Sequence, residues 1–215
     1  MAQFTIDPRA TALIVVDMQN CFVENSPFAA PGGREVLERL NGLADTCRES
    51  GGLVVYTAQV VKPDGSNVGI LRETLAPVNA GIINEGVESA ALNRDLRIER
   101  GDVMIKKPLF RAFTATDLEL ILRWRGIDTV VVGGIATNVC CETTAREAMQ
   151  REFQVVFLSD GTTTFGLPGS SLGSATAEEI QRVTCATLSF GFAEVTTVSD
   201  VAQRLSKGAA EARAA

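Results

Sequence analysis

The 215-residue chain contains no histidine. That absence removes His-based catalytic triads, His general bases and most zinc sites in one step. There is no block of lysines and arginines either: 20 basic residues stand against 26 acidic ones, for a net charge of −6. This balance argues against nucleic acid and anionic membrane as partners. No apolar run reaches the roughly 20 residues of a membrane span. The opening MAQFTIDPRA has neither the basic nor the apolar region of an export signal, so a cytoplasmic location is expected. No P-loop occurs, and no G-x-G-x-x-G follows the first apolar run, which disfavours nucleotide binding. The five cysteines are an odd number. Without an export signal a disulfide scaffold is not expected, and the thiols are read as reduced.

What is present suits one domain. The chain is 46% hydrophobic and 21% charged, enough to bury a single sizeable core. Residues 1–207 are read as that domain and residues 208–215, the end of SKGAAEARAA, as a disordered tail. Six apolar, β-branched runs stand out: TALIVVD (11–17), LVVYTAQVV (53–61), DVMIKK (102–107), DTVVVGGI (128–135), FQVVFLSD (153–160) and FAEVTTVSD (192–200). Several are apolar throughout, as strands covered on both faces of a parallel sheet read. Helical patterns lie between them. Val36, Leu40, Leu43 and Cys47 recur at helical spacing ahead of a Gly51-Gly52 stop. TDLELILRWRG, ATNVCCETTAREAMQRE and ATAEEIQRVTCATLSF read as further helices, and VSDVAQRLSKG as a last one capped by Ser199 or Asp200. The alternation predicts an α/β fold of three layers, a mostly parallel six-stranded sheet with helices on both faces. Two long connections, 62–100 and the Gly/Ser/Thr-rich 161–175, are read as functional or interface loops.

In such a sheet ligands bind beyond the carboxyl ends of the strands. The first strand ends at Asp17, the third at Lys106-Lys107, and the fourth at Gly133-Gly134 just before a helix that opens with Cys140 and Cys141. A carboxylate, an ammonium and a thiol therefore converge. A thiolate is a nucleophile, and both a helix N-terminus and an ammonium favour it. A carboxylate can take the thiol proton and return it to a leaving nitrogen. Alone, each residue has a plainer reading: Asp17 as a turn residue, Lys107 as a solvated charge, Cys140 as a small hydrophobe. Their joint placement favours chemistry. Cys141, Ala145, Ala148 and Met149 form an apolar stripe, while Cys140, Thr144, Glu147 and Arg151 form a polar one. Periodicity thus makes Cys140 the reactive thiol and Cys141 a core residue. Cys47 and Cys185 are read as packing, and Cys21 as packing or part of the site wall.

The segments VVDMQNCF, KKPLFRAFTATDLELIL and GGIATNVCCETTAREA, in this order, resemble the isochorismatase-like cysteine hydrolases. That superfamily includes isochorismatases, nicotinamidases, N-carbamoylsarcosine amidohydrolase and ureidoacrylate amidohydrolase. The resemblance implies a Rossmann-like fold and an Asp-Lys-Cys triad at Asp17, Lys107 and Cys140. Lys107 is chosen over Lys106 because it directly precedes Pro108. It also implies a non-proline cis peptide between Ile135 and Ala136, with an oxyanion hole made by the amides of Ala136 and Cys140. Hydrolysis of a small-molecule C–N bond through an acyl-enzyme follows, with no cofactor and no metal, in a homodimer or homotetramer. The missing histidines argue against the Asp/His metal site of metal-dependent nicotinamidases, and the cysteine argues against vinyl-ether cleavage, since isochorismatases often lack it. The GIATNVC form is closest to the ureido- and carbamoyl-cleaving members. Phe22 and Val139 are candidate substrate contacts. Arg111 stands where many relatives have serine or a small residue. It either reads a substrate carboxylate or is a surface or interface charge. The alternatives kept open are isochorismatase-type ether hydrolysis and a non-catalytic binding protein on the same fold.

Overall fold

A computed structural model describes residues 3–171 and 173–214. Its centre is a six-stranded sheet, all parallel, in the order β3-β2-β1-β4-β5-β8. The strands are β1 (Thr11–Val16), β2 (Leu53–Gln59), β3 (Val103–Lys107), β4 (Thr129–Ile135), β5 (Gln154–Thr163) and β8 (Glu194–Thr196). All six apolar runs become strands of this sheet. Every residue of β1, β2 and β4 is buried, which is why those runs are apolar throughout rather than alternating.

The period-two alternation survives inside them. Leu13 and Val15 face the layer formed by α2 (Gly33–Glu49) and α8 (Val198–Ala214), packing with Leu40, Leu43 and Leu205. Ile14 and Val16 face the opposite layer of α5 (Leu118–Trp124), α6 (Glu142–Met149) and α7 (Ala177–Gly191), with Leu122, Ala145 and Leu188. Short helices α1 (Asn20–Val23), α3 (Leu71–Thr74) and α4 (Ala76–Asn79) lie in the connections beyond the strand ends.

The strand order reverses between β1 and β4, so the crevice of the sheet opens there. The two strands approach closely at that point. A Cβ on Gly134, whose φ is +132°, would sit 2.0 Å from the Val16 carbonyl oxygen. Only glycine fits such a position.

Four details differ from the sequence reading. The 161–175 connection folds in part into an antiparallel hairpin, β6 (Leu167–Ser170) with β7 (Gly173–Ala175); its small residues carry no alternating hydrophobic signal. The expected disordered tail continues α8 as far as Ala214, because Ala209 is buried and Gly208 lets the helix close on the Pro8 ring. Ser199 and Asp200 lie inside α8 rather than before it. Thr197 accepts from the Asp200 amide and Asp160 from the Val198 amide. Finally, residues Thr137–Cys141 form a π turn ahead of α6, with the Cys141 amide bonded to the Ala136 carbonyl at 3.1 Å. The buried stripe of α6 is Cys141, Thr144, Ala145 and Ala148, and Met149, at the end of the helix, is 39% exposed.

Candidate active site

Asp17 follows β1 directly and takes φ +49°. Asp, with its short polar side chain, enters this left-handed region more readily than most residues. Thr57 of β2 holds it: the Asp17 amide donates to the Thr57 carbonyl at 3.2 Å, and the Thr57 hydroxyl donates to Oδ1 at 2.6 Å. Lys107 arrives from β3 on the far side of β2. Its Nζ donates to Asp17 Oδ2 at 2.6 Å and to the Leu109 carbonyl at 3.1 Å. Strand alternation decides which lysine enters, because Lys106 points to solvent and pairs with Glu85.

Cys140 sits in the π turn, 4% exposed. Its Sγ lies 3.6 Å from Gln59 Oε1. Gln59 closes β2 and is itself clamped by Gln19: its amide donates to Gln19 Oε1 at 2.7 Å, and Gln19 Nε2 returns a bond to its carbonyl at 3.0 Å. The turn is tied from behind as well. The Thr137 hydroxyl donates to Gln181 Oε1 at 2.5 Å, and Gln181 Nε2 donates to the Ser159 carbonyl and the Thr162 hydroxyl of β5. The Thr164 hydroxyl donates to Asn138. The Ile135–Ala136 peptide is cis. The Ala136 carbonyl already accepts from the amides of Val139 and Cys141.

Burial works to lower the Lys107 pKa, but the charge of Asp17 and the bond to it outweigh this, and the ammonium is held above its ordinary range. Burial is also the main influence on the Cys140 thiol and pushes it well up; Lys107 pulls it down and Asp17 pushes it further up. The pull of Lys107 has the direction read from the sequence, and desolvation, which spacing does not report, opposes it and outweighs it. Cys21, at about 12, and Cys47, at about 11, are raised by burial too.

Above Cys140 lies a cavity of about 180 Å³. Its walls include the rings of Phe22, Phe28, Phe110 and Phe165, and Val139 and Ala136 border the thiol. A larger open groove of about 650 Å³ runs between α2 and α7 past Arg39 and Gln181. It does not reach Asp17, Lys107 or Cys140, whereas the smaller cavity is bounded by Cys140. The structure thus brings together Asp17, Lys107, Cys140, Ala136, Phe22 and Val139. Arg111 is not among the cavity walls, and its Nε is buried without a partner among the described residues. Among those residues no three Cys, Asp or Glu side chains cluster as a metal site. Sequence reasoning missed Gln59, Thr57 and Gln19. The strand-end rule could have found Gln59, the last residue of β2, had all four central strand ends been inspected rather than three.

Fold and site together define a Rossmann-like α/β protein with a thiol-bearing pocket at the switch point of its sheet. The model of the isochorismatase domain matches residues 11–200, and the chain belongs to the isochorismatase family. It is 34% identical to nicotinamidase 3 of Arabidopsis thaliana, over 87% of this chain and 85% of that one. It is 33% identical to the ureidoacrylate amidohydrolase RutB of Methylorubrum extorquens, over 78% and 75%. A crystal structure of a cysteine hydrolase from Pseudomonas syringae pv. phaseolicola superposes with a TM-score of 0.92 at 33% identity, covering 96% of this chain and 97% of that one.

Proposed function

We propose that this protein is a cysteine-dependent hydrolase that cleaves an amide, carbamoyl or ureido C–N bond of a small molecule through an acyl-enzyme. The observation that carries this reading is the position of Cys140 in the wall of an apolar cavity, within electrostatic reach of the buried Asp17–Lys107 pair. Two of the relatives bear the names of enzymes that hydrolyse C–N bonds, a nicotinamidase and a ureidoacrylate amidohydrolase.

Asp17 takes the Cys140 proton as Sγ bonds to the substrate carbonyl carbon, and the carbonyl π electrons move onto oxygen. The amides of Ala136 and Cys140 receive that oxyanion. When the tetrahedral adduct collapses, Asp17 gives its proton to the leaving nitrogen, the C–N bond breaks, and a thioester remains. Asp17 then takes a proton from water as the hydroxide attacks the thioester, and returns it to sulfur as the acid leaves. Lys107 holds the carboxylate in place between transfers, Nζ to Oδ2 at 2.6 Å.

The test is ammonia release from a panel of small amides and ureides, including nicotinamide, by the wild type and by Cys140→Ala, with mass spectrometry of the quenched protein. A covalent acyl adduct on the Cys140 peptide and its loss in the variant are expected. Turnover that survives Cys140→Ala would refute the assignment.

A further inference from the structure

We infer that the substrate is an uncharged amide with an apolar acyl group, an aromatic ring or a branched chain, rather than an anionic amide or ureido acid. This rests on the reading of the site as a C–N hydrolase and adds the identity of the group that fills its pocket.

The cavity over Cys140 is walled by four phenylalanine rings, with Leu75, Val78, Ile135 and Leu167 closing the remaining sides. Among the described residues no charged side chain lines it, and beside Cys140 the only polar side chain is that of Gln59. The reacting groups supply no net positive charge either. Lys107 is paired with Asp17 at 2.6 Å and gives a second bond to the Leu109 carbonyl, and neither Lys107 nor Asp17 lines the cavity. A carboxylate entering this space would lose its hydration and meet no cation, the least favourable way to bury an ion. An apolar ring or chain loses nothing and gains burial.

Size points the same way. A cavity of about 150 Å³ walled by Leu, Ile and Phe is known to take a benzene ring, and the space here is about 180 Å³. A ring or a branched four- to five-carbon chain fills it and leaves the carboxamide at the floor. There Gln59 is placed to recognise the amide group: its Oε1 faces Sγ, and its Nε2 donates to no described residue. Arg111 is the one cation that could change this, and it stands outside the walls.

Two experiments on the intact protein test the inference. The first needs no turnover. Iodoacetamide and iodoacetate are nearly equal in size and differ in charge. Their alkylation rates at Cys140 are read by peptide mass spectrometry and compared with those at Cys185 in the same sample. The iodoacetamide-to-iodoacetate ratio at Cys140 is expected to exceed that at Cys185 by roughly 30-fold or more, from the uncompensated burial of charge. Equal ratios, or a preference for iodoacetate that Arg111→Gln abolishes, would overturn it. The second compares kcat/KM for benzamide and isobutyramide with that for succinamate and N-carbamoylglycine; a preference of roughly 100-fold for the neutral pair is expected. If Cys140-dependent hydrolysis favours the anionic pair, the substrate class is wrong while the hydrolase reading stands. If the alkylation preference holds but no amide is cleaved, the hydrolase reading falls and the selectivity of the pocket stands.

Discussion

Lys107 and Asp17 meet across β2, Nζ to Oδ2 at 2.6 Å, with neither side chain exposed at all. Removing one partner leaves the other as a buried, unpaired ion. Lys107→Met or Asp17→Ala is therefore expected to cost about 3–5 kcal/mol of stability, seen in urea unfolding. Asp17→Asn, which keeps the shape, should unfold later than Asp17→Ala yet lose roughly 100-fold or more in kcat, the usual worth of a positioned proton-transfer group. Full activity in Asp17→Asn would mean that another group moves the proton.

Gln181 touches no cavity wall but holds Thr137 at the start of the nucleophile turn. Gln181→Leu removes this bond and those to Ser159 and Thr162, each of about 1 kcal/mol, which should loosen the turn. It is expected to lower kcat several-fold with KM little changed, and Gln181→Glu, which keeps the acceptor for Thr137 but no donor for Ser159, should recover part of it. A change confined to stability in both variants would reduce Gln181 to a packing residue.

The Thr144 hydroxyl is buried in α6 with no partner among the described residues. A hydroxyl in that state costs about 1–3 kcal/mol. Thr144→Val, nearly the same shape, is expected to raise the urea midpoint by the equivalent of about 1 kcal/mol. A lower midpoint would show that the hydroxyl is satisfied in solution.

Alkaline pH should unfold the protein early. Burial raises Cys47 from 9.0 to about 11, Cys21 from 9.0 to about 12 and Tyr56 from 10.0 to about 12. Above the unfolded-state values the unfolded chain releases protons that the native state retains. Stability from these groups is thus complete below pH 9 and falls as pH rises from 9 toward 12. Each contributes a slope of up to about 1.4 kcal/mol per pH unit. Lys107, also raised, adds loss of the same sign at still higher pH. A urea midpoint that stays constant from pH 8 to 10.5 would contradict this.

The six strands were legible because burial on both faces writes itself as unbroken β-branched runs, and the meeting of Asp17 with Lys107 because both stand at strand ends. What was illegible has physical causes. The β6–β7 hairpin is built of small residues without alternation. Thr144 is a polar residue on the buried face of α6 and Met149 an apolar one exposed at its end, so polarity alone misplaces both. The resting state of Cys140 depends on how deeply its surroundings bury it, which no spacing encodes. Gln59 ends an otherwise apolar strand and looked like part of its run.

Four walls of the cavity come from outside the sheet. Asp17 and Lys107 stand at strand ends and Cys140 in the turn after β4, whereas Phe28, Leu75, Phe110 and Phe165 come from four separate connections. Each of these four can therefore be exchanged by a single change that leaves the sheet and its buried ion pair untouched. Drift or laboratory selection acting on those connections could redirect the protein to new acyl groups in small, independent steps while the bond-breaking apparatus is inherited intact.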